Sequence, residues 1–83
     1  MSEQLRKMYE DIIEVFTPIK TNHKKTFLIE FEMILEKYDL DNKDYLLNYF
    51  RSCIRQHKSN NLGYKQALLM LSNAYKKVYN ITI

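Results

Sequence analysis

Apolar side chains recur every three or four residues along four separate stretches of the chain, which is the spacing of one buried face of an α-helix. The 83 residues contain one glycine, Gly63, and one proline, Pro18, so turns and strands have few places to form. Short links between long helices indicate antiparallel neighbours. We therefore predict an all-α protein, an antiparallel four-helix bundle, folded as a single domain over residues 1–83.

Residues that cap or interrupt helices set the predicted boundaries. Thr17-Pro18 should end the first helix, because proline disfavours helical geometry in the residue before it. Residues 58–63 are a turn by composition, and Asn80 can terminate the fourth helix. The candidate N-caps of the first three helices are Ser2, then Thr21 or Asn22, then Asp41 or Asn42.

The apolar stripes predict the core, and they show no internal repeat. Ile29 and Met33 lie off the stripe of the second helix, which indicates a second apolar flank there. The expected inward positions are Leu5, Met8, Tyr9, Ile12 and Phe16; Phe27, Leu28, Phe31, Ile34, Leu35 and Tyr38; Leu46, Phe50, Cys53, Ile54 and His57; Tyr64, Ala67, Leu68, Leu71, Ala74, Tyr75 and Val78.

Composition favours a cytoplasmic protein. No stretch approaches the roughly 18 uninterrupted apolar residues of a membrane span. The N-terminal residues lack the apolar region of a signal peptide. The single cysteine, Cys53, cannot form an internal disulfide, which agrees with a reducing compartment.

Nothing in the sequence supports catalysis or a cofactor. It contains no glycine-rich phosphate loop and no histidine placed beside a nucleophile and an orienting acid. Cys53 and His57 are one helical turn apart and could share a metal, but a structural zinc site needs four ligands. We expect a small buried thiol and a hydrogen-bonded histidine, no enzyme activity and no cofactor.

Charge is divided unevenly between the two halves of the chain. Residues 1–44 carry seven Lys/Arg and ten Asp/Glu, a net charge of −3, whereas residues 45–83 carry six Lys/Arg and no acid, a net charge of +6. The basic half could bind phosphates of nucleic acid or of anionic lipid. Alternatively, its cations pair with the acids of the first two helices. The six cations are Arg51, Arg55, Lys58, Lys65, Lys76 and Lys77.

Five apolar residues follow one another at positions 67–71, more than one narrow stripe can bury. Leu69 and Met70 should point sideways or outward, near Lys65, Lys76 and Lys77. A methionine and a leucine rimmed by lysines suit partner binding, although both could instead fill grooves between helices. Tyr79 and the other tyrosines of this half could join such a surface or form edges of the bundle.

Three segments carry a resemblance to a known family. They are LRKMYEDII from Leu5, YLLNYFR from Tyr45, and the leucine-rich YKQALLML from Tyr64. In these segments and in its small, basic, four-helix layout, the chain resembles the immunity proteins against pediocin-like bacteriocins, the enterocin A immunity family.

The resemblance implies a cytoplasmic protein that protects a bacteriocin producer without catalysis. Its implied partner is the membrane part of the mannose phosphotransferase permease with bacteriocin bound, met at the anionic inner membrane surface. In that family the C-terminal half decides which bacteriocin is countered. The matching contact surface here is Arg51, Arg55, Lys58, Lys65, Leu69, Met70, Lys76, Lys77 and Tyr79.

The alternative function is a small helical regulator of phage or plasmid type that binds nucleic acid or a protein partner. The turn at residues 60–63 between two helices is similar to that of a helix-turn-helix. Its second helix, however, is rich in leucine and alanine and offers few side chains able to contact base edges, so nucleic acid is the less favoured partner.

Overall fold

Each half of the chain forms a helix, a short strand and a second helix. In this computed structural model, which describes residues 2–83, the first half contains α1 (Glu3–Ile19), β1 (Thr21–His23) and α2 (Lys24–Leu35). The second half contains α3 (Lys43–Gln56), β2 (Asn61–Gly63) and α4 (Tyr64–Tyr79). The protein is mostly helical, as predicted, but a two-stranded sheet makes the all-α assignment incomplete.

The sheet joins the starts of α2 and α4. β1 and β2 are antiparallel, with Thr21 opposite Gly63 and His23 opposite Asn61. Two backbone bonds of 2.7 Å extend this pairing, from Lys24 N to the Asn60 oxygen and from Tyr64 N to the Lys20 oxygen. Strands of three residues are too short to show alternation in the sequence, and this region was therefore predicted as a helix cap and a turn.

The two halves repeat the same layout, although their residues differ. Positions 8–16 and 46–54 have the same order of buried, half-buried and exposed side chains, and so do positions 27–38 and 67–78. In the second pair, Ile29 corresponds to Leu69 and Phe31 to Leu71. The repeat lies in burial and backbone, which explains why the sequence alone did not show it.

The start of α1 agrees with prediction, but its end does not. Ser2 caps α1 as predicted, its Oγ accepting from Leu5 N at 3.2 Å. The prediction that Thr17-Pro18 ends α1 is wrong. Pro18 lies in the last turn, where its missing N–H removes one bond. The helix continues to Ile19, and Lys20, whose φ is 59°, is its C-cap.

The N-cap of α2 differs from the two residues predicted, whereas the N-cap of α3 is Asn42, one of its two predicted candidates. Thr21 and Asn22 are in β1, and His23 caps α2 instead, its Nδ1 accepting from Lys25 N at 3.2 Å. Asn42 holds the N-cap position of α3 in a left-handed conformation, with φ 62°, but its side chain makes no capping bond.

The core lies where α1 and α3 each contact both α2 and α4. Four phenylalanines form its centre: the ring centroids of Phe16 and Phe27 are 5.1 Å apart, and those of Phe31 and Phe50 are 4.6 Å apart. Leu62 of β2 is 1% exposed, a core residue the turn prediction missed. Predicted inward residues that are only half-buried are Tyr9, Leu28, Tyr38, Cys53, His57, Tyr64, Leu68 and Val78.

Candidate partner-binding surface

Most cations of the basic half are not neutralised by the protein's own acids. Within residues 2–83, Arg51 alone among the six forms an ion pair, with its Nη2 3.5 Å from Glu32 Oε1. Within the acidic half, Arg6 forms ion pairs with Glu3 and Glu10. The exposed cations without an ion pair in the described chain are Arg55, Lys58, Lys65, Lys76 and Lys77.

Leu69 and Met70 have different positions on α4. Leu69 is 62% exposed, which confirms its predicted outward position. Met70 is half-buried and packs against the core, so it fills a groove as the alternative interpretation held. Lys65 is one helical turn before Leu69, and Lys76 is two turns after it, so the exposed leucine lies among lysines.

Tyr79 serves the fold at the far end of α4. Its hydroxyl donates to the Asp41 oxygen over 2.8 Å, and its ring meets Tyr75 edge to face with centroids 6.1 Å apart. Burial, followed by the charge of Asp41, raises the pKa of Tyr79. This residue joins α4 to the link between α2 and α3, and it lines a cleft there with Asp39, Leu40 and Asp41.

Apart from Lys58, the structure divides the other predicted contact residues among separate clefts. Lys76 and Lys77 line a cleft of about 500 Å³ with Tyr49, Asn73 and Asn80. Lys65 lines a second cleft of about 490 Å³ where the end of α1 meets the start of α4; we call it the α1–α4 cleft. Its residues are Thr17, Lys20, Thr21, Gly63, Tyr64, Lys65 and Gln66.

Arg51 and Arg55 line a third cleft, of about 340 Å³, together with two lysines of the acidic half. Lys24 and Lys25, at the start of α2, face them across the cleft, and Leu28 and Ile54 complete the lining. We call this the α2–α3 cleft. The sequence showed lysines crowded before α2, but not which helix they would meet, so they were missed as site residues.

Cys53 and His57 give no sign of a metal centre. His57 follows the end of α3, and its Nε2 lies 3.0 Å from the Asn61 oxygen. Burial raises the pKa of the Cys53 thiol, which favours the protonated form. Residues 2–83 contain no group of three or more His, Cys, Asp or Glu side chains placed to hold a metal ion.

Apolar surface also lies on α2. Ile29 and Met33 are each 57% exposed, in agreement with the predicted second flank.

None of the helices described for residues 2–83 is both long enough and apolar enough to cross a membrane. Comparison of the chain with protein-family models, with curated proteins and with solved structures gave no match.

Proposed function

We propose that this is a cytoplasmic immunity protein that protects against a pediocin-like bacteriocin by binding, without catalysis, at the complex of bacteriocin and receptor. The resemblance of three segments to the enterocin A immunity family motivates the proposal. The observation that carries it is the exposed Leu69 on a helix whose lysines have no ion-pair partner within residues 2–83.

The proposed fold is the antiparallel four-helix bundle of that family, with a short sheet added. The links at residues 20–23, 36–42 and 57–63 are short compared with the helices they join, and short links favour antiparallel neighbours. The contacts of α1 and α3 with both other helices are those expected of such a bundle.

The proposed mechanism is occlusion by a surface that combines charge with a small apolar patch. A receptor in the inner membrane presents its cytoplasmic side next to anionic lipid, which attracts cations at about 1 kcal/mol each. Lys65, Lys76 and Lys77 would supply that attraction, and Leu69 would supply the apolar contact. A partner held there would block the pore that the bacteriocin opens.

Expression in a sensitive strain tests the proposal. The inhibitory concentration of one or a few pediocin-like bacteriocins should rise strongly, while that of an unrelated pore-forming peptide should stay unchanged. Unchanged killing across the panel, with the protein detected in the cells, would refute an immunity function.

A gel-shift assay addresses the regulator that we consider the alternative. The immunity proposal expects no retardation of duplex DNA at moderate salt. A salt-dependent shift at low protein concentration, combined with unchanged killing, would favour the regulator.

A further inference from the structure

The α2–α3 cleft combines cations from both halves of the chain, although the net charge of residues 1–44 is negative. The cleft takes two arginines from the basic half and two lysines from the acidic half. Arg51 and Arg55 are one turn apart on α3, and Lys24 and Lys25 are the first residues of α2. Four cations therefore border one opening of about 340 Å³.

Two of these cations are already engaged and two are not. Lys24 Nζ donates to the His57 oxygen over 2.7 Å, stabilising the carboxyl end of α3. Arg51 is shared between Asn48 and Glu32. Lys25 and Arg55 are exposed and form no ion pair within the described residues, so they keep donors available for a ligand.

The lining between the cations is apolar. Leu28 is half-buried, and Ile54 is 2% exposed. An inorganic phosphate would bind the cations and leave the exposed part of Leu28 in water. A ligand that carries both negative charge and an apolar side chain would satisfy the cations and also cover Leu28.

The α1–α4 cleft provides an internal comparison, because it is the counterpart of the α2–α3 cleft in the repeated layout. The bond from Lys24 N to the Asn60 oxygen has its equivalent in the bond from Tyr64 N to the Lys20 oxygen. Lys20 and Lys65 are the cations lining it, among threonine, glutamine, glycine and tyrosine. The shared backbone layout is therefore not what concentrates four cations in one cleft.

We infer that the α2–α3 cleft binds an acidic peptide segment with at least one apolar side chain. Arginine forks pair with carboxylates in bidentate geometry, and complementary charge accelerates and orients the encounter. The apolar side chain of the peptide covers Leu28. This inference does not rest on the immunity proposal, because peptide binding is measured with the purified protein and requires neither bacteriocin nor receptor.

Fluorescence anisotropy with a labelled peptide, Glu-Glu-Leu-Glu-Glu, tests the inference at low ionic strength. Binding should be saturable and should weaken as salt is added. The peptide with Gln in place of Glu should bind more weakly by at least about tenfold, and so should the peptide with Ser in place of Leu. Equal binding of the serine peptide would overturn the apolar part of the inference.

Two matched double variants locate the site. Lys25→Gln with Arg55→Gln should weaken peptide binding by about tenfold or more. Lys20→Gln with Lys65→Gln removes the same two charges from the α1–α4 cleft and should change binding less than about twofold. Circular dichroism checks that both variants are folded, and equal weakening by both would show an effect of net charge and overturn the site.

A final arm distinguishes the peptide from a membrane. Flotation with phosphatidylglycerol vesicles should give the same result for both double variants. If the Lys25 and Arg55 variant loses vesicle binding while keeping peptide binding, the cleft is a lipid headgroup site and the inference is wrong.

Discussion

The hydroxyl of Tyr75 donates a hydrogen bond to the backbone oxygen of Leu5 over 2.9 Å, joining the inner face of α4 to the first turns of α1. The two residues are 70 positions apart, and Tyr75 is 0% exposed. The ring also lies 6.0 Å, centroid to centroid, from that of Tyr9. One side chain therefore connects the ends of the chain through the core.

Tyr75→Phe should lower the free energy of unfolding by about 0.5 to 1.5 kcal/mol, the usual net value of a neutral hydrogen bond. The ring stays in place, and only the hydroxyl is lost. Urea unfolding followed by circular dichroism measures the change. Tyr79→Phe removes a hydrogen bond at a more exposed position and should cost less; a larger loss there would show that the end of α4 is the more important attachment.

Tyr38 makes stability sensitive to alkaline pH. Its hydroxyl donates to Asp11 Oδ2, and this bond, followed by burial and the charge of Asp11, raises the pKa of Tyr38 from 10.0 to about 12. The folded state then keeps a proton that the unfolded state releases. The contribution of the protonated Tyr38 hydroxyl to the free energy of unfolding is complete below pH 10 and is lost as the pH rises to about 12.

Tyr38→Phe should therefore flatten the decline in stability over that pH range. Urea unfolding at several alkaline pH values gives the slope for the protein and the variant. Tyr45→Phe, which removes a hydroxyl from a ring that is 50% exposed, is the matched control. The same slope in all three proteins would argue against a folded-state bond between Tyr38 and Asp11. Burial also raises the pKa of Tyr75, so some decline should remain in the variant.

Leu62→Ala should cost about 2 to 5 kcal/mol, the range for truncating a buried leucine. Leu62 is 1% exposed and lies opposite Asn22 in the sheet. The predicted turn would have left this side chain in water, where truncation is nearly neutral. Leu69→Ala, at 62% exposure, is the control and should stay within about 0.5 kcal/mol of the parent.

Helices and most of the core follow from the sequence because periodicity is a local property. Met8, Ile12 and Phe16 are spaced so that a helix buries all three, whichever element covers them. Pro18 shows the limit of local rules. Its missing N–H removes one helical bond, yet the helix continues through Ile19, so the local bias against the helix did not decide where α1 ends.

The clefts could not be predicted in the same way, since each is formed by two helices. Arg51 and Arg55 are one helical turn apart in the sequence, but Lys24 and Lys25 join the arginines only through the packing of α2 on α3. Leu62 became a core residue through the pairing of β1 with β2. Tyr79 gained its bond to Asp41 across 38 positions. Such contacts depend on tertiary structure and leave no periodic signal.

Leu69→Lys is expected to abolish protection against bacteriocin while leaving the fold intact, because the side chain is 62% exposed and replaces no core contact. Thermal unfolding should stay close to the parent's, whereas Met70→Lys, which places a charge where a half-buried methionine packs on the core, should destabilise by about 1 to 3 kcal/mol. Ile29→Lys supplies the control, since Ile29 holds the equivalent position on α2 and is 57% exposed. Inhibitory concentrations in a sensitive strain expressing each variant give the comparison. Protection lost in Leu69→Lys and kept in Ile29→Lys would assign the contact surface to α4, while loss in Ile29→Lys alone would move that surface to α2.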